Sequence, residues 1–263
     1  GEKMSKSRGT GLDPLKYLGL GMNPEWLRYY LATKLSAKNE DIDFNAEDFM
    51  LKVNSDLIGK YVNIASRTAG FISKKFDGQL AGGYEDSLQE MQIMSMFADH
   101  LSVIKKDIEL RDFAKAIRLT MTLADVANSY VNDRAPWAIA KDETRRDELH
   151  IVCSFSLVLF RLLTLALKAT LPITALQVEA FMKVESLNWD LADELIETQN
   201  RIASKSLLSG HVIGEYKHLM QRVDIKQLDA LFEAPAVTET APQAILDKAS
   251  TSAVSIEPLA PEI

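Results

Sequence analysis

Two lysines three apart open the chain. In Lys3-Met4-Ser5-Lys6-Ser7 each ammonium is followed within two residues by a hydroxyl, on a glycine-bordered loop. Such a cluster offers point charges and donors to phosphate oxygens. Phosphoryl and nucleotidyl transfer depend mainly on positioning and charge stabilisation of that kind. A lysine–serine run near a terminus is otherwise a solvated tail.

A second set lies further on. Asn63 and Arg67 stand four apart in Asn63-Ile64-Ala65-Ser66-Arg67, on one face of a helix, with Val62 and Ala65 turned toward the core. An amide beside a guanidinium offers two bidentate forks, the geometry that reads base edges. The same pair is also compatible with a plain solvated face. Trp137 follows Pro136 at a helix junction. It is either a core plug or a flat surface on which a base can stack, and single-stranded loops are the RNA elements that splay bases outward. Between Lys60 and Phe76 the chain carries Lys60, Arg67, Lys74 and Lys75 and no acid. A basic face there would position phosphates.

Helices must hold these groups. Asn23-Pro24 reads as a cap with proline at the first helical position, opening a helix over 25–37. Asn45 caps a long helix over 46–76, with Phe49, Val53, Leu57, Tyr61, Ala65, Ala69 and Ile72 at spacings of three and four. Further helices are predicted over 86–107, 111–132 and 142–170, the last apolar on more than one face and therefore central. Leu171-Pro172 reads as its stop. Shorter helices follow over 175–183, 193–204 and 224–232. No stretch alternates as a strand should, so the expected fold class is all-α, an antiparallel helical bundle. The expected division is 1–40 (lysine–serine loop and linker region), 41–232 (bundle) and 233–263. The last segment has four prolines, five acids and one lysine, which is linker composition.

The chain has 263 residues, 47% of them hydrophobic, with only 12 glycines and 8 prolines, enough for a substantial core rich in helix. The net charge of −7 does not exclude nucleic acid, because the tail holds much of it. One cysteine, Cys153, lies in an apolar run and excludes an internal disulfide framework; a buried inert thiol is expected. Four scattered histidines give no metal-ligand spacing, so no metal site is expected, and His211 with His218 is the closest pair. The richest apolar stretch, 151–171, is interrupted by Arg161 and Lys168, so no membrane span or membrane partner is expected.

The string Lys3-Met4-Ser5-Lys6-Ser7-Arg8-Gly9-Thr10 resembles the signature loop of class I aminoacyl-tRNA synthetases, and its Arg-Gly-Thr continuation resembles the methionyl-tRNA synthetases. Asn63-x-x-x-Arg67 in NIASRTAGF and Ala135-Pro136-Trp137 in NDRAPW are similar to the anticodon-recognition elements of the same family, in the same order. The likeness spans residues 1 to 232. It implies that the parent protein ligates methionine to its tRNA with ATP in the cytoplasm. Lys3 and Lys6, with Ser5 and Ser7 as weaker candidates, would stabilise the ATP pyrophosphate. Asn63, Arg67 and Trp137 would meet the CAU anticodon loop of tRNA-Met. The resemblance also implies that this chain is the rear portion of a longer protein. Lacking the nucleotide-binding fold, it would be inactive alone, with no cofactor of its own, and monomeric. Two positions depart from the family pattern: Gly59, where some members carry a polar residue, and Asn132, where an acid is common. In the family such positions as Asp125 and Asn132 repel wrong anticodons, and Asn132 here has no charge. A helical protein-interaction module without an RNA role, or a piece of another class I synthetase, are the alternatives.

Overall fold

The computed structural model describes residues 12–38, 40–84, 87–197 and 208–233, with the side chains of residues 196 and 197 left aside. Residues 3–7, and with them Lys3, Ser5, Lys6 and Ser7, lie outside the described residues, as does nearly all of 233–263. Chain contacts divide at Phe232 into two units, and the first carries every helix among the described residues.

All regular structure in the described residues is helical, apart from one isolated bridge between Gln79 and Val212. Asp13 caps α1 (Pro14–Gly19) and Asn23 caps α2 (Pro24–Ala32), each with proline in the first turn. α2 ends five residues short of the sequence expectation. Thr33 Oγ1 donates to the Tyr30 carbonyl, and the Leu35 carbonyl is taken by the Ala114 amide, which draws the chain off the helix axis.

The long helix expected over 46–76 is continuous but not uniform. α3 (Ala46–Lys52) passes into a ten-residue π-helical segment, Val53–Val62, and then into α4 (Asn63–Lys75). In a π turn each amide bonds five residues back, an arrangement frequent at functional sites. Asn54, in the π segment, accepts from the Val223 amide at 2.9 Å and donates to the Val223 carbonyl at 3.3 Å, so its side chain pairs with the extended chain before the last helix.

α5 (Leu88–Glu109) and α6 (Phe113–Arg134) form a hairpin. After the short α7 (Pro136–Ile139), Asp142 caps a 3₁₀ turn, and α8 (Arg146–Leu167) follows. α4 packs on α8, and α6 packs on both α5 and α8. α8 is buried over nearly all of Val152–Leu167. By length and composition alone Glu143–Leu167 could span a membrane despite Arg161, but most of it is buried inside the fold as the central helix. Cys153 is fully buried, and burial pushes its thiol up to about 12.

α8 ends before Leu171-Pro172 as expected, and Pro172 also starts α9 (Pro172–Met182), three residues before the expected start, because proline is at home in a first helical turn. α10 (Asp190–Glu197) begins three residues before the expected start, and the remainder of the 193–204 expectation falls outside the described residues. α11 (Ile225–Phe232) closes the unit.

Two charged residues of α2 lock these pieces together. The buried Glu25 carboxylate accepts from the Ile173 amide (2.6 Å), the Thr174 amide (3.0 Å) and the Thr174 hydroxyl (2.5 Å). It thereby caps the N-terminus of α9. Arg28, one turn on, donates to the Ala169 and Thr170 carbonyls at 3.0 and 3.1 Å, beyond the C-terminus of α8. A carboxylate at a helix N-terminus and a cation at a C-terminus both favour the helix dipole.

Candidate nucleic-acid interface

Side-chain pairs across the bundle show how the candidate residues are positioned. Lys60 Nζ meets Asp125 Oδ2 at 2.8 Å, Asn63 Nδ2 meets Asn128 Oδ1 at 3.1 Å, and Lys75 Nζ meets the Ala140 carbonyl at 3.3 Å. The separation is 65 residues each time. The π–α4 helix and the α6–α7 region therefore run side by side in the same direction. Asn132 is exposed, and no carboxylate contacts Arg67 among the described residues.

The corner that carries Trp137 is unusual. Ala135 has φ 44° and ψ 63°, the left-handed region that alanine rarely enters, and it precedes a proline that favours extended backbone there. Its amide still closes α6 on the Val131 carbonyl at 3.0 Å, and its carbonyl accepts from Ala138 at 2.7 Å. Glu90 braces the helix end from α5. It accepts from Tyr130 Oη at 2.7 Å, from Arg134 Nη2 at 2.8 Å and from Ser87. Burial pushes the Glu90 carboxyl up, but these hydrogen bonds outweigh burial and leave it below its ordinary value.

The outcome is a presented indole. Trp137 is 42% exposed, which is not the burial of a core plug. The Arg67 guanidinium lies over its ring, 4.4 Å from the centroid. Partial burial lowers the Arg67 pKa, so this cation has been stripped of some water without gaining an acid among the described residues. A cation over an aromatic face contributes about 0.5–1 kcal/mol at exposed sites. Asn63 is half-buried one turn before Arg67, so the structure brings Asn63, Arg67 and Trp137 to one surface.

The basic face is weaker than the sequence suggested. Lys60 is paired with Asp125, and Lys75 with Glu143 at 2.7 Å. Lys74 and Arg67 are the members of the run without a carboxylate partner among the described residues. Both acids lie far along the chain, beyond the window in which the basic run was read. Sequence reasoning also missed Asn128. Its only signal was an amide on the α6 stripe of Ala124 and Ala127, one turn from Asp125.

Residues 1–69 match the family model described as tRNA synthetases class I (M), which sets the chain among class I aminoacyl-tRNA synthetases. Residues 80–233 match the model for the anticodon binding domain of methionyl tRNA ligase. The chain belongs to the methionyl-tRNA ligase family. It is 57% identical over 236 residues to a methionine–tRNA ligase of Polaromonas sp. (strain JS666), covering 90% of this chain and 32% of that protein. It is 49% identical over 266 residues to the Herminiimonas arsenicoxydans methionine–tRNA ligase, covering all of this chain and 36% of the relative. The chain thus spans about a third of the length of the curated relatives it matches. Among solved structures, the fold resembles Mycobacterium tuberculosis methionyl-tRNA synthetase in complex with methionyl-adenylate, at TM-score 0.69 and 19% identity, over 83% of this chain and 41% of that one.

Proposed function

We propose that this unit reads the anticodon loop of a methionine tRNA on behalf of a methionine–tRNA ligase, the reaction that joins methionine to tRNA at the expense of ATP. The observation that carries the reading is the Arg67–Trp137 pair: a solvent-facing indole with a guanidinium on it and, among the described residues, no acid to neutralise that cation. An unstacked base lies on the exposed indole, which contributes about 1–3 kcal/mol per base. The Arg67 fork donates to acceptors on a base edge, and Asn63 reads an adjoining edge. Lys74 meets phosphate.

Lys3 and Lys6, with Ser5 and Ser7, are the proposed ATP contacts of the whole enzyme. The chain alone is expected to show no ATP–pyrophosphate exchange. The specificity test is a titration of the protein with a CAU hairpin and with a hairpin of scrambled loop, at one salt concentration. Trp137→Ala and Arg67→Ala are each expected to weaken CAU binding about tenfold or more. Equal affinity for both loops, or wild-type affinity in both variants, would reject this reading in favour of a protein-interaction module.

A further inference from the structure

Asn128 makes two bonds that leave it no freedom. Its Nδ2 donates to the Ala124 carbonyl at 2.8 Å and to the Lys60 carbonyl at 2.9 Å. Both partners are backbone oxygens and can only accept, so the atom facing them must be the amide nitrogen, and both its hydrogens are in use. The other terminal atom of Asn128 is then Oδ1, and it faces Asn63. Only a donor satisfies it, so Asn63 must turn Nδ2 inward, at 3.1 Å. What Asn63 presents outward is therefore Oδ1, an acceptor with no donor among the described residues, together with one N–H.

We infer that Asn128 is a specificity-determining positioning residue, which locks the Asn63 amide in the one orientation that accepts from an exocyclic base amine and rejects a keto oxygen in its place. This rests on the anticodon reading. A freely rotating asparagine could pair with either class of base by exchanging its oxygen and nitrogen, because each base edge offers both a donor and an acceptor. Locking removes that exchange. The amide then suits the amine and ring nitrogen of cytosine or adenine. A uracil or a hypoxanthine in the same pose sets oxygen against oxygen. Discrimination comes as much from the repulsive pairing denied an escape as from the attractive one. The side-by-side packing makes the lock possible, since Lys60, which supplies one carbonyl, faces α6 through its own side chain as well.

The test uses hairpins that differ by one group: the CAU loop, the loop with its cytosine replaced by uracil, and the loop with its adenine replaced by hypoxanthine. Wild-type protein is expected to prefer the amine by about tenfold or more at one of these two positions. In Asn128→Ala, checked for folding by circular dichroism, that preference should fall about tenfold at that same position, with the keto loop regaining most of the affinity. If wild type separates CAU from the scrambled loop but Asn128→Ala keeps the full amine preference, the lock is wrong and the anticodon reading survives. If wild type does not separate CAU from the scrambled loop, both fall. Nitrogen-15 NMR of free wild-type protein supplies a measurement that needs no variant. One Asn63 Nδ2 proton should be shifted downfield and protected from exchange, and equivalent solvent-exposed protons there would overturn the lock.

Discussion

Two polar pairs on two helices look alike in the sequence and have opposite fates. Glu25 and Arg28 stand three apart on α2; Asn63 and Arg67 stand four apart on α4. The first pair is engaged by the fold's own backbone, Glu25 buried and Arg28 at the surface. Glu25 takes three hydrogen bonds at the start of α9, and Arg28 takes two carbonyls beyond the end of α8. The second pair is half-buried with capacity left over, an amide oxygen with no donor among the described residues and a guanidinium resting on an exposed ring. A polar side chain whose groups are all satisfied by the protein holds structure. One held in place by a single bond, with its other groups facing water, is ready for a ligand. The difference lies in what each pair binds, backbone groups of distant elements in the first and an exposed ring and a neighbouring amide in the second, not in residue type or spacing.

Perturbing each region should therefore move a different quantity. Glu25→Ala should have the largest effect, a loss of about 3 kcal/mol of stability, because it orphans the buried amides of Ile173 and Thr174. Denaturant titration would show it, while the ratio of CAU to scrambled-loop affinity stays unchanged. If that ratio collapses in folded Glu25→Ala protein, the two regions are not separable. Trp137→Ala should do the reverse: RNA affinity falls by about 1–3 kcal/mol and the unfolding midpoint moves little. A large drop in melting temperature would place Trp137 with the structural residues after all.

A third effect concerns the brace between the regions. The folded Glu90 carboxyl lies below its ordinary value of 4.5. Its stabilising contribution is therefore present above the unfolded pKa and lost as pH falls through the folded one. Glu90→Gln should flatten the acid limb of stability against pH below about 4.5, and an unchanged limb would show that other carboxylates set it. The smallest effect is expected from Asp125→Asn. Freeing Lys60 should tighten RNA binding only a few-fold at low salt and steepen the salt dependence by about one phosphate contact, as read from affinities across a salt series.

Much of this contrast was legible beforehand, and the gaps have identifiable causes. The stripe through Phe49, Val53, Leu57, Tyr61 and Ile72 predicts a buried helix face, and all five are buried. It does not show that the helix widens into a π turn, because the apolar spacing of four survives either hydrogen-bond pattern. Pro172 reads equally as a stop or a start. The choice fell to Glu25, far back in the chain, which caps the new helix. Lys60 and Lys75 read as free cations because the acids that pair with them lie 65 and 68 residues on.

By itself, the order of residues determined the helical class of the described residues, the approximate place of each long helix, an apolar central helix, and the three side-chain types at the candidate interface. Local chemistry suffices for these: apolar periodicity sets which face is buried, and caps and prolines set where helices begin. Tertiary structure alone decided that α4 and α6 run side by side in one direction, that Arg67 meets Trp137 and no acid among the described residues, and that the Asn63 and Asn128 amides meet. Those contacts join residues far apart in the chain, and only the packing of one helix against another determines which distant side chains meet.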